Sequence, residues 1–426
     1  MARDPILGIR HFERHREVYR EGFGYAEQDF GQGISKKMKN IRAVELFAGI
    51  GGFRLAADSL GIETIWANDV DARACAVYRD RFGTDSVVED DIWHCRNKIP
   101  AHDILTGGFP CQPFSSAGKK QGIEDYRGTL FQAIIDVLRK TQPSFFVLEN
   151  VKRLLEMERG WHFATILNSL SELNYRVEWR LLNASHFGLA QNRQRVFIVG
   201  VRANSTDRSQ SAFDGTVRLA SQSDLSSLTP KQLACILSPE RWLPLEKHAS
   251  TIPTWGVCFN RHFFAADLAH FSEKQEPVLL RQVMEHVVDP KFDFTAATLK
   301  WLHKNRPVNR FVDGVEILSN QAGGARMGYT IFGTGGIAPT LTATTSRHYE
   351  RYKVGDKYRR LTNVEYARLQ GFPVDHCRIA STYDQYTLFG NAVPPPMAHW
   401  VMGKVLGEGV PVPSESDQSQ MALALR

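Results

Sequence analysis

The chain has 426 residues, long enough for two or three domains, and its 43% hydrophobic and 23% charged residues are those of a globular protein, which excludes disorder as the main state. No run reaches the ~18 consecutive apolar residues of a membrane helix, and the charged start MARDPILGIRHFERHREVYREG lacks the apolar core of a secretory signal, so a cytoplasmic protein is expected. Lys plus Arg number 52 against 46 Asp plus Glu, a net +6 that permits a polyanionic partner without demanding one, and the six cysteines (Cys75, Cys95, Cys111, Cys235, Cys258, Cys377) form no C-x-x-C pair, which excludes a zinc knuckle or a thioredoxin-type centre.

Residues 1–40 read as an arm, with Ile9, Phe12, Tyr19 and Phe23 along one side of a helix packed on the main body. From Ala43 the pattern turns regular. AVELF (43–47) is a short apolar strand ending in glycines. Phe53, Ala56, Ala57 and Leu60 then follow at helical spacing, and Gly61 stops that helix. IETIWA (62–67) is a second strand, 72–82 a second helix, HDILTGG (102–108) the end of a third strand. Phe131, Ile134, Ile135 and Leu138 mark another helix before the strand SFFVLEN (144–150). Phe163, Ile166, Leu167 and Leu170 repeat the helical spacing, and strands follow around 177–181 and at RVFIVGV (195–201). Strands alternating with helices of this length predict an α/β fold with a doubly wound, mostly parallel sheet. After about 203 the rhythm breaks, and 204–384 is expected to be a smaller, irregular second domain. Regular signals return with a helix in 359–372 capped by Thr362, and at 385–407, where PPP (394–396) opens an apolar helix. The tail 408–426 is polar.

In doubly wound sheets ligands bind beyond the carboxyl ends of the strands, and five constellations fall at such places. FAGIGG (47–52) joins a strand to a helix; Gly49, Ile50 and Gly51 let backbone N–H groups approach a ligand. It lacks a full G-x-G-x-x-G, which disfavours a dinucleotide. Asp69 ends the second strand, where an acid accepts hydrogen bonds from ribose hydroxyls, and EDDI (89–92) adds Asp91 for an exocyclic amine and Ile92 for a purine face. GGFPCQPFS (107–115) sets Cys111 between two prolines beyond a strand, so its thiol is aimed; the polar segment 115–128 after it is a candidate lid. In LENV (148–151), Glu149 ends an apolar strand and should hold its proton through desolvation. In QNRQR (191–195), Arg193 and Arg195 share one face of an extended segment and suit carbonyl oxygens or phosphates. In FGNAVPPP (389–396), Asn391 either pairs with a ligand or caps the helix that follows.

In this order and spacing the motifs FAGIGG, PCQP, ENV, QxRxR and GN-V resemble the DNA (cytosine-5)-methyltransferases over 42–203 and 359–405. The resemblance implies a sheet of the S-adenosylmethionine-dependent methyltransferase type, with a catalytic domain formed by 41–203 plus 385–407 and a target-recognition region at about 204–335. It implies that Phe47, Asp69, Asp91, Ile92, Pro110, Leu130, Asn391 and Val393 bind S-adenosylmethionine, with Gly49, Ile50, Gly51, Val70 and Gly108 in the same pocket. Asp69 stands where Glu is usual, and Val70 where an aromatic residue often stacks on adenine. The implied catalytic set is Cys111 as nucleophile at C6 of a flipped-out cytosine, Glu149 at N3, Arg193 at O2, and Arg195 supporting the thiolate region or a phosphate. Gln112, Ser115, Asn150, Arg326 and Thr340 are implied substrate contacts, and Lys119, Lys120, Arg127, Arg347, Arg351 and Lys353 are candidates for phosphates. The implied partner is double-stranded DNA, engaged by a nucleoid-associated monomer within a restriction–modification system that includes a cognate endonuclease. No metal is called for. The runner-up substrate is tRNA, disfavoured because the tRNA enzymes of this family usually carry a much shorter insert.

Overall fold

Strands that are apolar on both faces must be covered by helices on each side, and the N-terminal half of the chain is built that way. The computed structural model describes residues 40–110, 129–203, 215–302, 305–320, 330–343, 350–407 and 409–412. Its first seven strands are β1 (Arg42–Leu46), β2 (Glu63–Asp69), β3 (Val88–Glu89), β4 (Ile104–Gly108), β5 (Phe145–Val151), β6 (Tyr175–Asn183) and β7 (Gln194–Arg202). They lie in the order β3-β2-β1-β4-β5-β7-β6; the first five are parallel, and β7 runs antiparallel to both its neighbours. The doubly wound α/β sheet expected from the alternation is present. Its strand order reverses between β1 and β4, which is where such folds leave a crevice.

The helices Gly52–Ser59, Ala72–Phe82, Leu130–Thr141 and Trp161–Glu172 cover the sheet. The third shows why these sequences fold as they do. Thr129 caps it by accepting from the Gln132 N–H, Phe131, Ile134, Ile135 and Leu138 are buried, and Arg139 and Lys140 fall in the last turn, where the helix dipole favours cations. The final helix, Pro395–Leu406, starts with proline in its first turn. It returns from the far end of the chain to bury Met397, Ala398, Val401 and Met402 against Phe53, Ala56 and Ala57, and His399 Nδ1 lies 2.6 Å from Ser59 Oγ.

The loss of rhythm at 203 does not mark the end of the sheet. After β8 (Thr216–Val217), strands β9 (Leu243–Pro244), β10 (Trp255–Phe259) and β11 (His262–Ala266) join it: β10 pairs antiparallel with β6, β11 with β10, and β9 with β11, giving ten strands. The reason is the outer edge of β6, which would otherwise present unpaired N–H and C=O groups. β10 is buried along its whole length and seals that edge. Glu178 of β6 locks the addition by accepting from Trp255 Nε1 at 2.8 Å and from the backbone N–H groups of Arg218 and Leu219.

A separate five-stranded sheet follows: β12 (Arg306–Val312), β13 (Val315–Asn320), β14 (Thr330–Phe332), β15 (Arg351–Val354) and β16 (Lys357–Arg359), paired in chain order. The helices Asn363–Gln370, capped by Thr362 as expected, and Thr382–Asn391 pack beside it. Its core is shared with the large domain, since Phe332, Ile337, Tyr352, Tyr366 and Phe389 cluster with Ile50, Leu55, Ala74 and Val77. A last strand, β17 (Val410–Pro411), pairs with β8. No helix among the described residues is long and apolar enough to cross a membrane.

Candidate active site

The crevice between β1 and β4 is lined on one side by the loop 47–52. Phe47 has φ 54° and Gly49 φ 54°, both in the left-handed region, and Phe47 is a bulky residue held there against its preference. The Gly49 N–H donates to Asp69 Oδ2 at 2.7 Å and the Asp71 N–H to Oδ1 at 2.9 Å, so the carboxylate at the end of β2 ties the loop down. Burial pushes the Asp69 pKa up against these backbone donors. Each oxygen keeps a second lone pair for a hydroxyl. Asp91 spends one oxygen capping the short helix Ile92–Cys95, accepting from the Trp93 N–H at 3.0 Å. Ile92 is buried in the cluster that holds Leu46, Phe109 and Phe131, whereas Val70 stands 71% exposed at the rim. Leu130 is half-buried, Pro110 and Asn391 are exposed, and Ile50 is buried.

The turn 390–393 closes this side. A Cβ placed on Gly52 would lie 2.2 Å from the Val393 carbonyl oxygen, and one on Gly108 would lie 3.1 Å from Val393 Cγ2 and 3.4 Å from Glu149 Oε2. Only glycine lets the turn, the loop 47–52 and the end of β4 approach so closely.

The other half of the site is the end of β5. Glu149 lies opposite Gly108 of β4 on one side and Phe197 of β7 on the other. It is buried, and its Oε1 accepts from Arg195 Nε at 2.8 Å. Burial raises the Glu149 pKa; Arg195, and more weakly Arg193, pull it down without reversing the direction. The two arginines of QNRQR do not share a task, although their spacing predicted a common face. Arg195 on β7 faces Glu149. Arg193 precedes the strand and turns its guanidinium to three backbone carbonyls: Nη1 to Leu341 at 3.1 Å, and Nη2 to Gly390 and Ala392 at 2.9 Å each. Of the two, Arg195 is the guanidinium that meets Glu149, while Arg193 spends its donors on the chain itself.

Two expected substrate contacts are also occupied within the chain. Asn150 is buried and donates to the Phe109 carbonyl at 2.9 Å, which fixes the backbone two residues before Cys111. Thr340 Oγ1 donates to the Asn192 carbonyl at 2.5 Å. Cys111, Gln112, Ser115, Lys119, Lys120, Arg127, Arg326 and Arg347, together with the lid segment 115–128 and the arm, lie outside the described residues. Arg351 and Lys353 are on β15 of the smaller sheet.

Sequence reasoning missed three supports. Glu45, mid-strand in β1, is buried; Tyr78 Oη donates to it at 2.8 Å, and burial raises its pKa to about 8. Asn68 donates to the carbonyls of Val88 and Asp90, bracing β3. The buried His376 lies with Nε2 2.7 Å from the Ile50 carbonyl of the loop 47–52. A charged residue inside an otherwise apolar strand was the available signal for Glu45; nothing local marks the other two.

Comparison with known proteins agrees with this arrangement. The chain is 32% identical over 384 residues to the Type II methyltransferase M1.ScrFI of Lactococcus lactis subsp. cremoris, covering 87% of this chain and 79% of that one. It is 31% identical over 362 residues to the Type II methyltransferase M.HhaI of Haemophilus parahaemolyticus, covering 84% and 92%. Among solved structures it is similar in fold to a DNMT2 mutant from Spodoptera frugiperda, with a TM-score of 0.56 at 18% identity, covering 86% of this chain and all of that one. A profile of C-5 cytosine-specific DNA methylases matches residues 41–407, almost all of the described body, and the chain belongs to that family.

Proposed function

We propose that this protein methylates C5 of a cytosine flipped out of a specific duplex DNA sequence, through a transient bond between Cys111 and C6, with S-adenosylmethionine as methyl donor. The observation that carries the reading is the pairing of Glu149 with Arg195 directly opposite Gly108, on the strand whose chain runs on into Pro110 and Cys111. A buried carboxylic acid and a guanidinium at one strand end can serve, respectively, the N3 and O2 of one pyrimidine.

The donor fits the residues present. The left-handed loop 47–52, the anchored carboxylate of Asp69 and the close-set Val393 form a cradle of backbone and acid groups suited to a nucleoside carrying an amino-acid tail. When bound, S-adenosylmethionine supplies an electrophilic sulfonium methyl. The protein does the rest. Cys111 thiolate adds to C6, and the ring electrons shift toward C5 and N3. Glu149, whose pKa burial raises, donates its proton at N3, and Arg195 stabilises charge on O2. C5 takes the methyl group and loses its proton to a base; C6 then expels the Cys111 thiolate as Glu149 takes back the N3 proton, restoring the aromatic ring. C6 is unreachable within a stack, so the base must leave it. The relatives are Type II methyltransferases and the family description names DNA, which favours duplex DNA over tRNA.

Cys111→Ala should retain DNA binding and lose methyl transfer. Wild-type protein incubated with S-adenosylmethionine and a duplex carrying 5-fluorocytosine at its target should give an adduct that survives denaturing electrophoresis. Near-normal turnover by the alanine variant would refute the covalent scheme. Absence of the adduct from an otherwise active enzyme would do the same.

A further inference from the structure

Arg193 is an expensive residue to bury unless its charge is used. It is 1% exposed, and its backbone is held as firmly as its side chain: its N–H donates to Asn183 Oδ1 at 3.1 Å, and its carbonyl accepts from the Ala184 N–H at 2.9 Å. The guanidinium reaches three carbonyls that come from two parts of the chain, 148 to 199 residues away. Gly390 and Ala392 flank Asn391 in the turn that borders the cofactor loop. Leu341 lies on the segment that leads out of the smaller sheet. Neighbouring residues reinforce the same junction. Gln191 Oε1 accepts from the Leu341 N–H, its Nε2 donates to the Leu369 carbonyl, Asn192 N–H donates to the Ala338 carbonyl, and Thr340 Oγ1 donates to the Asn192 carbonyl. The turn itself is wedged. A Cβ on Gly390 would meet the Thr342 carbonyl at 2.6 Å, and the other end of the turn presses on Gly52 and Gly108.

We propose that Arg193 is a positioning residue rather than a base contact: it pins the 390–393 turn and the Leu341 segment to the start of β7, and so sets the cofactor pocket and the smaller domain from one buried cation. The assignment rests on the proposed function only in taking 390–393 as part of the cofactor pocket. It separates the two arginines by what each should change. A group acting on the reacting base affects the chemical step, while a group that shapes the ground-state pockets affects binding.

The test compares Arg193→Met, Arg193→Lys, Gly390→Ala and Arg195→Met. KM for S-adenosylmethionine, KM for duplex and kcat are measured, with Kd for S-adenosylhomocysteine as a readout independent of turnover. Arg193→Met should raise KM for S-adenosylmethionine and Kd for S-adenosylhomocysteine by about tenfold or more, with kcat at saturation within about threefold of wild type. Arg193→Lys, which keeps the cation, should recover part of that loss. Gly390→Ala breaks the same joint from the opposite side and should raise the same two constants, so the test stands if Arg193→Met fails to fold. Arg195→Met should lower kcat and leave both constants nearly unchanged. An Arg193→Met protein with normal Kd and depressed kcat would overturn the assignment, as would a Gly390→Ala protein with unchanged constants. A wild-type protein that transfers no methyl group would instead sink the proposed function, with the Kd comparison still deciding this one.

Discussion

At the scale of single residues, two buried carboxyl groups are governed by the same physics and serve different ends. Glu149 sits 2.8 Å from a guanidinium, an arrangement that favours its charge, yet burial dominates and moves its pKa upward. In its protonated form the carboxyl can accept from Arg195 through one oxygen and donate its proton through the other. Glu149→Gln preserves the shape and removes the acid, so kcat should fall by roughly 100-fold or more while S-adenosylhomocysteine binds as before; steady-state kinetics with a binding isotherm checks both. Glu45 is bonded by Tyr78 and feels the charges of Arg54 and Asp58, and burial raises its pKa from 4.5 to about 8. Between those values the unfolded chain releases a proton that the folded chain keeps. Stability contributed by Glu45 is therefore fully present below about pH 4.5 and is lost as pH climbs to about 8. Glu45→Gln cannot ionise. Its thermal stability relative to wild type should rise with pH across that window, by a few kcal/mol at most. A difference independent of pH would show that Glu45 is not neutral in the folded protein.

At the scale of elements, what the sequence discloses is what neighbours along the chain decide. Helical spacing at Phe131, Ile134, Ile135 and Leu138, the capping Thr362, and the apolar strand that carries Glu149 all depend on residues within a turn or two of one another. They are legible for that reason. The division of labour between Arg193 and Arg195 is not. Period-two spacing gives both the same face, but the strand begins only at Gln194, and the partners of Arg193 arrive from 148 or more residues away. The internal partners of Asn150 and Thr340 are hidden for a related reason. Side chains that suit a nucleic acid suit a carbonyl oxygen equally well, and their partners, Phe109 and Asn192, are 41 and 148 positions off. β10 escaped because a short strand buried on both faces has no alternation to read.

At the scale of the whole molecule, the chain between 204 and 335 divides in two. Its first part, through β11, completes the large sheet; the smaller sheet starts only at β12. β12 is an edge strand whose Arg306, Arg310 and Phe311 are exposed, with Phe311 62% accessible. Replacing 276–343 alone with the equivalent stretch of a relative should therefore transfer target preference, read by bisulfite sequencing of host DNA. If 215–275 had to move as well, the sheet extension would belong to recognition. The return of Pro395–Leu406 to the helix Gly52–Ser59 has a consequence of another kind. Ser59 and His399 meet across 340 positions, and until that helix emerges from the ribosome, Phe53, Ala56 and Ala57 lack the cover of Met397, Ala398, Val401 and Met402. So long a closure is entropically slow. The large domain therefore cannot complete its packing on the helix Gly52–Ser59 until residues 395–406 have been made and have docked.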